Sequence, residues 1–127
     1  MQQVKFNFNF NKDVHYSVLA DKDQLLRVFN NLIRNGVQAI PESRQGLLQV
    51  DIKKEDNHII ISIADNGTGI EDSAIGKIFS PNFTTKTGGM GLGLAIVKSI
   101  LDDVKGKIWY TTKSGQGTVF FVSFPCF

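Results

Sequence analysis

Short runs rich in apolar residues stand in adjacent pairs along this chain, and this pairing constrains the fold most. In the first run Phe6, Phe8 and Phe10 alternate with asparagines, which is typical of a strand that buries one face. Short polar or glycine-containing segments separate the members of each later pair, so hairpins are expected there. The six predicted strands are 6–11, 14–19, 48–54, 58–64, 107–112 and 118–124.

Between residues 21 and 40 the apolar residues instead recur at intervals of three and four, which predicts an amphipathic helix. Asp21 or Asp23 is a suitable N-cap, and Pro41 ends the helix. A second helix is predicted over 92–101. Paired strands with two helices favour an α+β fold, in which helices cover one face of a mixed, mainly antiparallel sheet. A doubly wound parallel sheet would need strict alternation of strands and helices.

Length and charge narrow the function classes. The 127 residues suit one domain, 1–127, and 42% hydrophobic residues can fill its core. A formal charge of +2 is too small to indicate nucleic acid, and no apolar run reaches the roughly 18–20 residues of a membrane helix. Cys126 is the single cysteine, so neither a disulfide framework nor a cysteine metal site is expected. A reducing cytoplasm suits this composition.

The first helix carries residues that disfavour helices. Asn30, Asn31, Asn35 and Gly36 stand in its middle, where glycine costs about 1 kcal/mol relative to alanine. Asn31 and Asn35 are four residues apart and therefore share a face. Amide oxygens on a rigid surface can coordinate Mg²⁺, which usually takes one or two protein oxygens and fills its shell with phosphate and water. The alternative is a solvated polar face.

The region 65–90 shows little periodicity, and a glycine-rich segment stands at each of its ends. Asp65-Asn-Gly-Thr-Gly69 follows a strongly apolar strand, and its fixed carboxylate can accept a hydrogen bond from an amine such as that of adenine. An ordinary Asn-Gly turn is the alternative. The second segment, 88–94, leads into a helix whose backbone N–H groups suit phosphate oxygens. It matches neither the Walker A loop nor the dinucleotide fingerprint.

In this order the motifs resemble the GHKL family of ATP-binding domains, and most closely the catalytic domain of sensor histidine kinases. That domain has a two-layer α/β sandwich, the Bergerat fold. The matching segments are Asn31-Leu-Ile-Arg-Asn35-Gly-Val-Gln-Ala39 (Asn box), Asp65-Asn-Gly-Thr-Gly69 (first glycine box), Ile78-Phe79-Ser-Pro-Asn-Phe83-Thr-Thr-Lys86 (Phe box), Gly89-Met-Gly91-Leu-Gly93-Leu94 (second glycine box) and Gly115-Gln-Gly117-Thr118-Val-Phe120 (closing strand).

The resemblance implies ATP and Mg²⁺ as ligands. It makes Asn35 the metal ligand, Asp65 the acceptor for the adenine amine and 71–90 a lid over the nucleotide. Asn31 and Lys86 are the implied catalytic residues, Lys86 as a cation meeting the γ-phosphate or, alternatively, a solvated loop lysine. The implied ATP contacts are Asn31, Asn35, Asp65, Gly67, Gly69, Ile70, Phe79, Thr84, Thr85, Lys86, Gly89, Gly91, Leu92, Gly93, Leu94 and Thr118. Gly36 replaces the family's usual alanine, a change expected to be neutral.

The resemblance also implies a division of labour. Asn31 stands where gyrase-like relatives have a general-base glutamate, which argues against a dedicated ATPase. His15 and His58 lack the Ser-His-Glu helix context of a phosphoacceptor. We therefore expect the acceptor on a separate dimerisation domain missing here, and a response regulator downstream. The isolated chain is expected to be a monomer and the parent protein a homodimer, cytoplasmic or the cytoplasmic part of a membrane sensor. The alternatives are a GHKL protein-serine kinase acting as an anti-sigma factor, and a degenerate nucleotide-binding module.

Overall fold

The structure, a computed structural model, describes residues 3–80 and 90–126, with 90–92 described for their backbone only. Its elements are β1 (Val4–Asn9), α1 (Lys22–Ala39), β2 (Gly46–Glu55), β3 (His58–Asp65), a short 3-10 helix (Asp72–Ala74), α2 (Met90–Asp103), β4 (Lys107–Lys113) and β5 (Gly117–Pro125).

The five strands form one mixed sheet in the order β1-β2-β3-β5-β4. β1 and β2 are parallel and are joined through α1, which supplies the crossover that a parallel pair requires. The other three pairs are antiparallel. The helices α1 and α2 pack against each other, and each packs against the sheet. The structure therefore confirms the mixed, mainly antiparallel sheet with helices on one face.

Capping and apolar spacing explain α1. Asp21 is the N-cap, and its carboxylate accepts hydrogen bonds from the N–H groups of Asp23 at 2.8 Å and Gln24 at 3.2 Å. The helix ends at Ala39, before Pro41. Its apolar stripe packs into the core between the helices and the sheet. Fully buried members of this core are Val28, Leu32, Leu48, Val97, Leu101, Val122 and Phe124.

The prediction of a strand over 14–19 is wrong. These residues pair with no strand in the described part of the chain. Val18 packs against the core, whereas Leu19 is 76% exposed. The apolar alternation therefore comes from a segment that lies against the core but forms no strand-to-strand hydrogen bonds with the described sheet. β1 is confirmed, but its predicted half-burial is not, since Phe6 and Phe8 are 45% and 63% exposed. β1 is one of the two edge strands of the described sheet, and both rings stay exposed there.

Candidate functional site

The mid-helix asparagines of α1 differ in their surroundings. Asn35 is only 5% exposed, and its Nδ2 is buried without a hydrogen-bond partner among the described residues. Buried amide groups are nearly always paired, so this one fits a site completed by a ligand. A half-turn of the amide exchanges Nδ2 and Oδ1, so Asn35 can offer a donor to a phosphate oxygen or an acceptor to a cation.

Gly36 brings this turn of α1 close to the sheet. A Cβ atom on Gly36 would lie 2.6 Å from Cδ1 of Leu48 and 3.5 Å from Cβ of Asp65. The helix thus packs against the end of β3, and Asn35 stands next in sequence to this contact. Alanine at position 36 would require the fully buried Leu48 side chain to shift. Gly36 therefore has a packing role in this chain, whereas the sequence suggested that glycine in place of alanine would be a neutral change.

Asp65, the last residue of β3, is held by backbone donors. Its Oδ1 accepts hydrogen bonds from the N–H groups of Gly67 at 2.8 Å and Thr118 at 3.3 Å. Burial raises the pKa of the Asp65 carboxyl, and these two hydrogen bonds offset part of that shift. Both backbone donors use one oxygen, and the other accepts no hydrogen bond among the described residues. The predicted role of Asp65 as acceptor for the adenine amine stays a prediction.

A pair of threonines closes the site beside Asp65. Thr118 is 4% exposed, and its hydroxyl lies 2.9 Å from that of Thr112. The Thr112 hydroxyl oxygen also accepts the N–H of Ile70 at 2.8 Å. The structure thus brings Asp65, Ile70 and Thr118 together as predicted. Thr112 was missed by sequence reasoning, because only the β4–β5 register places it opposite Thr118.

The first glycine box is shaped by backbone packing. A Cβ atom on Gly67 would lie 2.5 Å from the carbonyl oxygen of Ala39, at the end of α1. Gly69 has a φ of +81°, and its Cβ would lie 2.7 Å from the carbonyl oxygen of Lys113. Both glycines therefore permit contacts between chain segments. Their predicted contacts with a nucleotide stay predictions.

Asn31 faces the second helix. Its Nδ2 donates to the carbonyl oxygen of Arg27 at 2.9 Å, and its Oδ1 lies 3.0 Å from the position that a Cβ on Gly93 would occupy. Gly93 therefore lets α2 approach this face of α1. An open cavity of about 490 Å³ lies beside this contact and is lined in part by Arg27 and Arg34. Leu94, also predicted to contact ATP, is 3% exposed and belongs to the core.

The Phe box is described only in part. The ring of Phe79 packs edge-on against Tyr110, with centroids 6.0 Å apart. The N–H of Gly76 lies 3.4 Å from the Tyr110 hydroxyl, so β4 anchors this part of the chain. The predicted contacts Thr84, Thr85, Lys86 and Gly89 lie outside the described residues, as do Phe83 and the side chain of Leu92; Gly91 is described only as part of α2. The lid over 71–90 stays a prediction.

Comparison with known families decides the class of this site. A sequence model described as histidine kinase-, DNA gyrase B- and HSP90-like ATPase matches residues 20–126. The chain belongs to this family. Membership implies ATP binding, and the predicted relation to the GHKL family is confirmed.

Within the family, the similar proteins are sensor histidine kinases. The chain is 36% identical over 125 residues to sensor histidine kinase ZraS of Salmonella typhimurium, covering 98% of this chain and 26% of that protein. It is 34% identical to sporulation kinase C of Bacillus subtilis, covering 98% of this chain and 29% of that one. The solved catalytic domain of histidine kinase ThkA matches at TM-score 0.82 and 34% identity, covering 97% of this chain and 80% of that one.

These similarities make the chain a catalytic ATP-binding domain of the sensor histidine kinase type. They do not favour the serine-kinase or degenerate-module alternatives. The chain spans about a quarter of the length of the curated relatives it matches. No helix within residues 3–80 and 90–126 is long and apolar enough to cross a membrane.

Proposed function

We propose that this domain binds ATP with Mg²⁺ and donates the γ-phosphoryl group to a histidine on a separate dimerisation domain of a two-component sensor kinase. Phosphoryl transfer asks a protein mainly for positioning and for neutralisation of charge. The parent kinase would act as a homodimer, in or facing the cytoplasm, and would pass the phosphoryl group to a response regulator.

The residues divide into a base end and a phosphate end. Asp65 accepts from the adenine amine with its free oxygen, and Thr118 holds the other oxygen through its N–H. Asn35 holds the metal, and Asn31 lies next to it in the same helix face. When bound, Mg²⁺ neutralises and orients the phosphates. Lys86 is proposed to meet the γ-phosphate. The acceptor histidine and its general base belong to the dimerisation domain, so the isolated chain should not phosphorylate itself.

The observation that carries the proposal is a pair of groups: the unpaired, buried amide of Asn35, one residue before the contact of Gly36 with Asp65, and the half-buried carboxylate of Asp65 itself. One group lacks a partner, and the other keeps an acceptor free at the end of a buried strand. Neither is explained by packing within the described residues. ATP with Mg²⁺ offers partners of the matching chemistry to both.

Asn35→Ala tests the metal assignment. We expect calorimetric titration to show ATP binding that depends on Mg²⁺ in the wild type and has lost that dependence in the variant. Asn7→Ala changes an exposed asparagine on β1 and should leave both titrations unchanged. Mg²⁺-dependent binding that persists in Asn35→Ala would show that Asn35 is not the metal ligand.

Phosphoryl transfer is tested with radiolabelled ATP. The chain alone should gain no acid-labile phosphate, whereas addition of a dimerisation domain from the parent kinase should produce acid-labile phosphate on that added domain. Labelling of the isolated chain would contradict the proposed division of labour. Replacing the acceptor histidine of the added domain by glutamine should abolish its labelling.

A further inference from the structure

Arg44, in the loop between α1 and β2, makes contacts that the proposed roles do not use. Its Nη1 donates to the carbonyl oxygens of Asn66 at 2.6 Å and Gly67 at 3.2 Å, and lies 3.4 Å from that of Gly115. A terminal guanidinium nitrogen carries two hydrogens, so the two shorter contacts are the main ones. The side chain is therefore bonded mainly to the first glycine box and also lies close to the β4–β5 turn.

The charge of Arg44 is directed to these carbonyl groups. Within residues 3–80 and 90–126 no carboxylate forms an ion pair with it. Hydrogen bonds from a charged donor are about twice as strong as neutral ones. A half-buried arginine that donates to carbonyl oxygens, as Arg44 does within residues 3–80 and 90–126, fixes the peptide groups to which those oxygens belong.

One of those peptide groups also contacts Asp65. The carbonyl of Asn66 and the N–H of Gly67 belong to the same planar, trans peptide unit, so they point in opposite directions. Arg44 contacts the carbonyl end, and Oδ1 of Asp65 accepts the N–H end at 2.8 Å. A donor on the carbonyl polarises the peptide and strengthens its N–H as a donor.

We infer that Arg44 is a positioning residue for base recognition: through the Asn66–Gly67 peptide it holds Asp65 Oδ1 and keeps the second oxygen directed to the adenine amine. This rests on the proposed function, in which Asp65 recognises adenine. Arg44 itself touches no ligand. Asn66 supports the same arrangement, since its side chain accepts the N–H of Leu47 at 2.8 Å and donates to the carbonyl of Gln45 at 3.0 Å.

Base selectivity is the measurement that separates positioning from general stability. ITP carries an oxygen in place of the adenine amine, so the ratio of the Kd for ITP to the Kd for ATP reports the Asp65 contact. Arg44→Ala should lower this ratio about fivefold to tenfold, the range of one hydrogen bond. Arg44→Lys keeps a charged donor and should retain most of the wild-type ratio. Ser43→Ala changes an exposed neighbour and should leave the ratio unchanged.

A double-mutant cycle tests the route through Asp65. In the Asp65→Asn background, Arg44→Ala should change the ratio by less than twofold, because residues acting through one contact are not additive. A ratio that is unchanged in Arg44→Ala, or that falls equally in both backgrounds, would overturn the inference.

A measurement without nucleotide keeps the two proposals apart. In the NMR spectrum of Arg44→Ala the amide proton of Gly67 should shift upfield, because its hydrogen bond to Asp65 is weakened. If the alanine variant does not fold, Arg44→Gln should show the same shift. An unmoved Gly67 resonance would overturn the inference whatever the domain binds. A wild-type protein without preference for ATP over ITP would instead refute the proposed role of Asp65.

Discussion

Replacing Asp65 by asparagine should lower ATP affinity, because the two carboxylate oxygens have different hydrogen-bond partners. It should also raise the stability of the free domain, because burial opposes the ionisation of the carboxyl. Oδ1 accepts two backbone N–H groups, from Gly67 at 2.8 Å and from Thr118 at 3.3 Å. Asparagine has one acceptor oxygen, which these two donors will hold. Its NH₂ group must then take the place of the second oxygen, so that a donor replaces an acceptor.

The effect on affinity follows from this exchange. The adenine amine would face a donor, and loss of a hydrogen bond to a charged acceptor costs about 1.5–3 kcal/mol, or about tenfold to hundredfold in Kd. The oxygen of ITP can accept from the new NH₂ group. We therefore expect calorimetric titration of Asp65→Asn to show weaker ATP binding, with ITP bound at least as tightly as by the wild type.

The effect on stability depends on pH. Burial is the main cause of the raised pKa of Asp65, with hydrogen bonds from Gly67 and Thr118 acting in the opposite direction. Because the folded pKa lies above the unfolded one, the stability this carboxyl contributes is complete below the unfolded pKa and is lost as pH rises through the folded pKa. Asparagine does not ionise, so the variant should gain stability over the wild type across that window and keep the gain at neutral pH.

Urea unfolding across a series from acidic to neutral pH measures this difference. Asn7→Ala, at an exposed position on β1, provides the control, and its difference from the wild type should not change with pH. Equal loss of ATP and ITP binding would refute the assignment of the two oxygens. A stability difference that shrinks toward neutral pH would refute the sign of the burial argument.

Two further changes probe the frame of the site. Gly67→Ala should lower the free energy of unfolding by about 1–3 kcal/mol, because its Cβ would lie 2.5 Å from the Ala39 carbonyl oxygen. Gly76→Ala, with positive φ but open space around it, should cost about 1–2 kcal/mol of backbone strain and leave the packing of α1 unchanged. A Gly67→Ala variant as stable as the wild type would contradict the close contact at Gly67. Phe79→Ala and Tyr110→Ala should show a coupling of about 0.5–1.5 kcal/mol in a denaturation cycle, as expected for their edge-on ring contact, and additive losses would contradict it.

Local patterns predicted the regular elements well. The interval of three and four between residues 21 and 40 corresponds to α1, with its N-cap at Asp21. A hairpin was expected between the predicted strands 48–54 and 58–64; the turn at Asp56-Asn57 joins β2 and β3 there, and Asp56 adopts the positive φ of 51° that such turns use. These features depend on neighbours in sequence, so periodicity and turn chemistry contain the information.

Features that depend on distant partners were not accessible in this way. Alternation over 14–19 reports which side chains face the core, but not whether another backbone lies alongside to pair with. Arg44 contacts carbonyl groups 22, 23 and 71 residues away, and nothing in its own neighbourhood distinguishes it from a solvated arginine. The Asn box could be predicted because its residue types disfavour a helix, which marks them without any knowledge of the fold.

The two groups that indicate a ligand most strongly both reduce the stability of the free domain. The unpaired Nδ2 of Asn35 costs about 1–3 kcal/mol as a buried, unsatisfied donor, and burial opposes the ionisation of Asp65. If these positions served the fold alone, leucine and asparagine would serve it better. A ligand that offers a partner to the Asn35 amide and a donor to the Asp65 carboxylate removes both costs together. Such a ligand would therefore gain part of its binding free energy from relieving a destabilisation confined to the residues that the proposed function assigns to it.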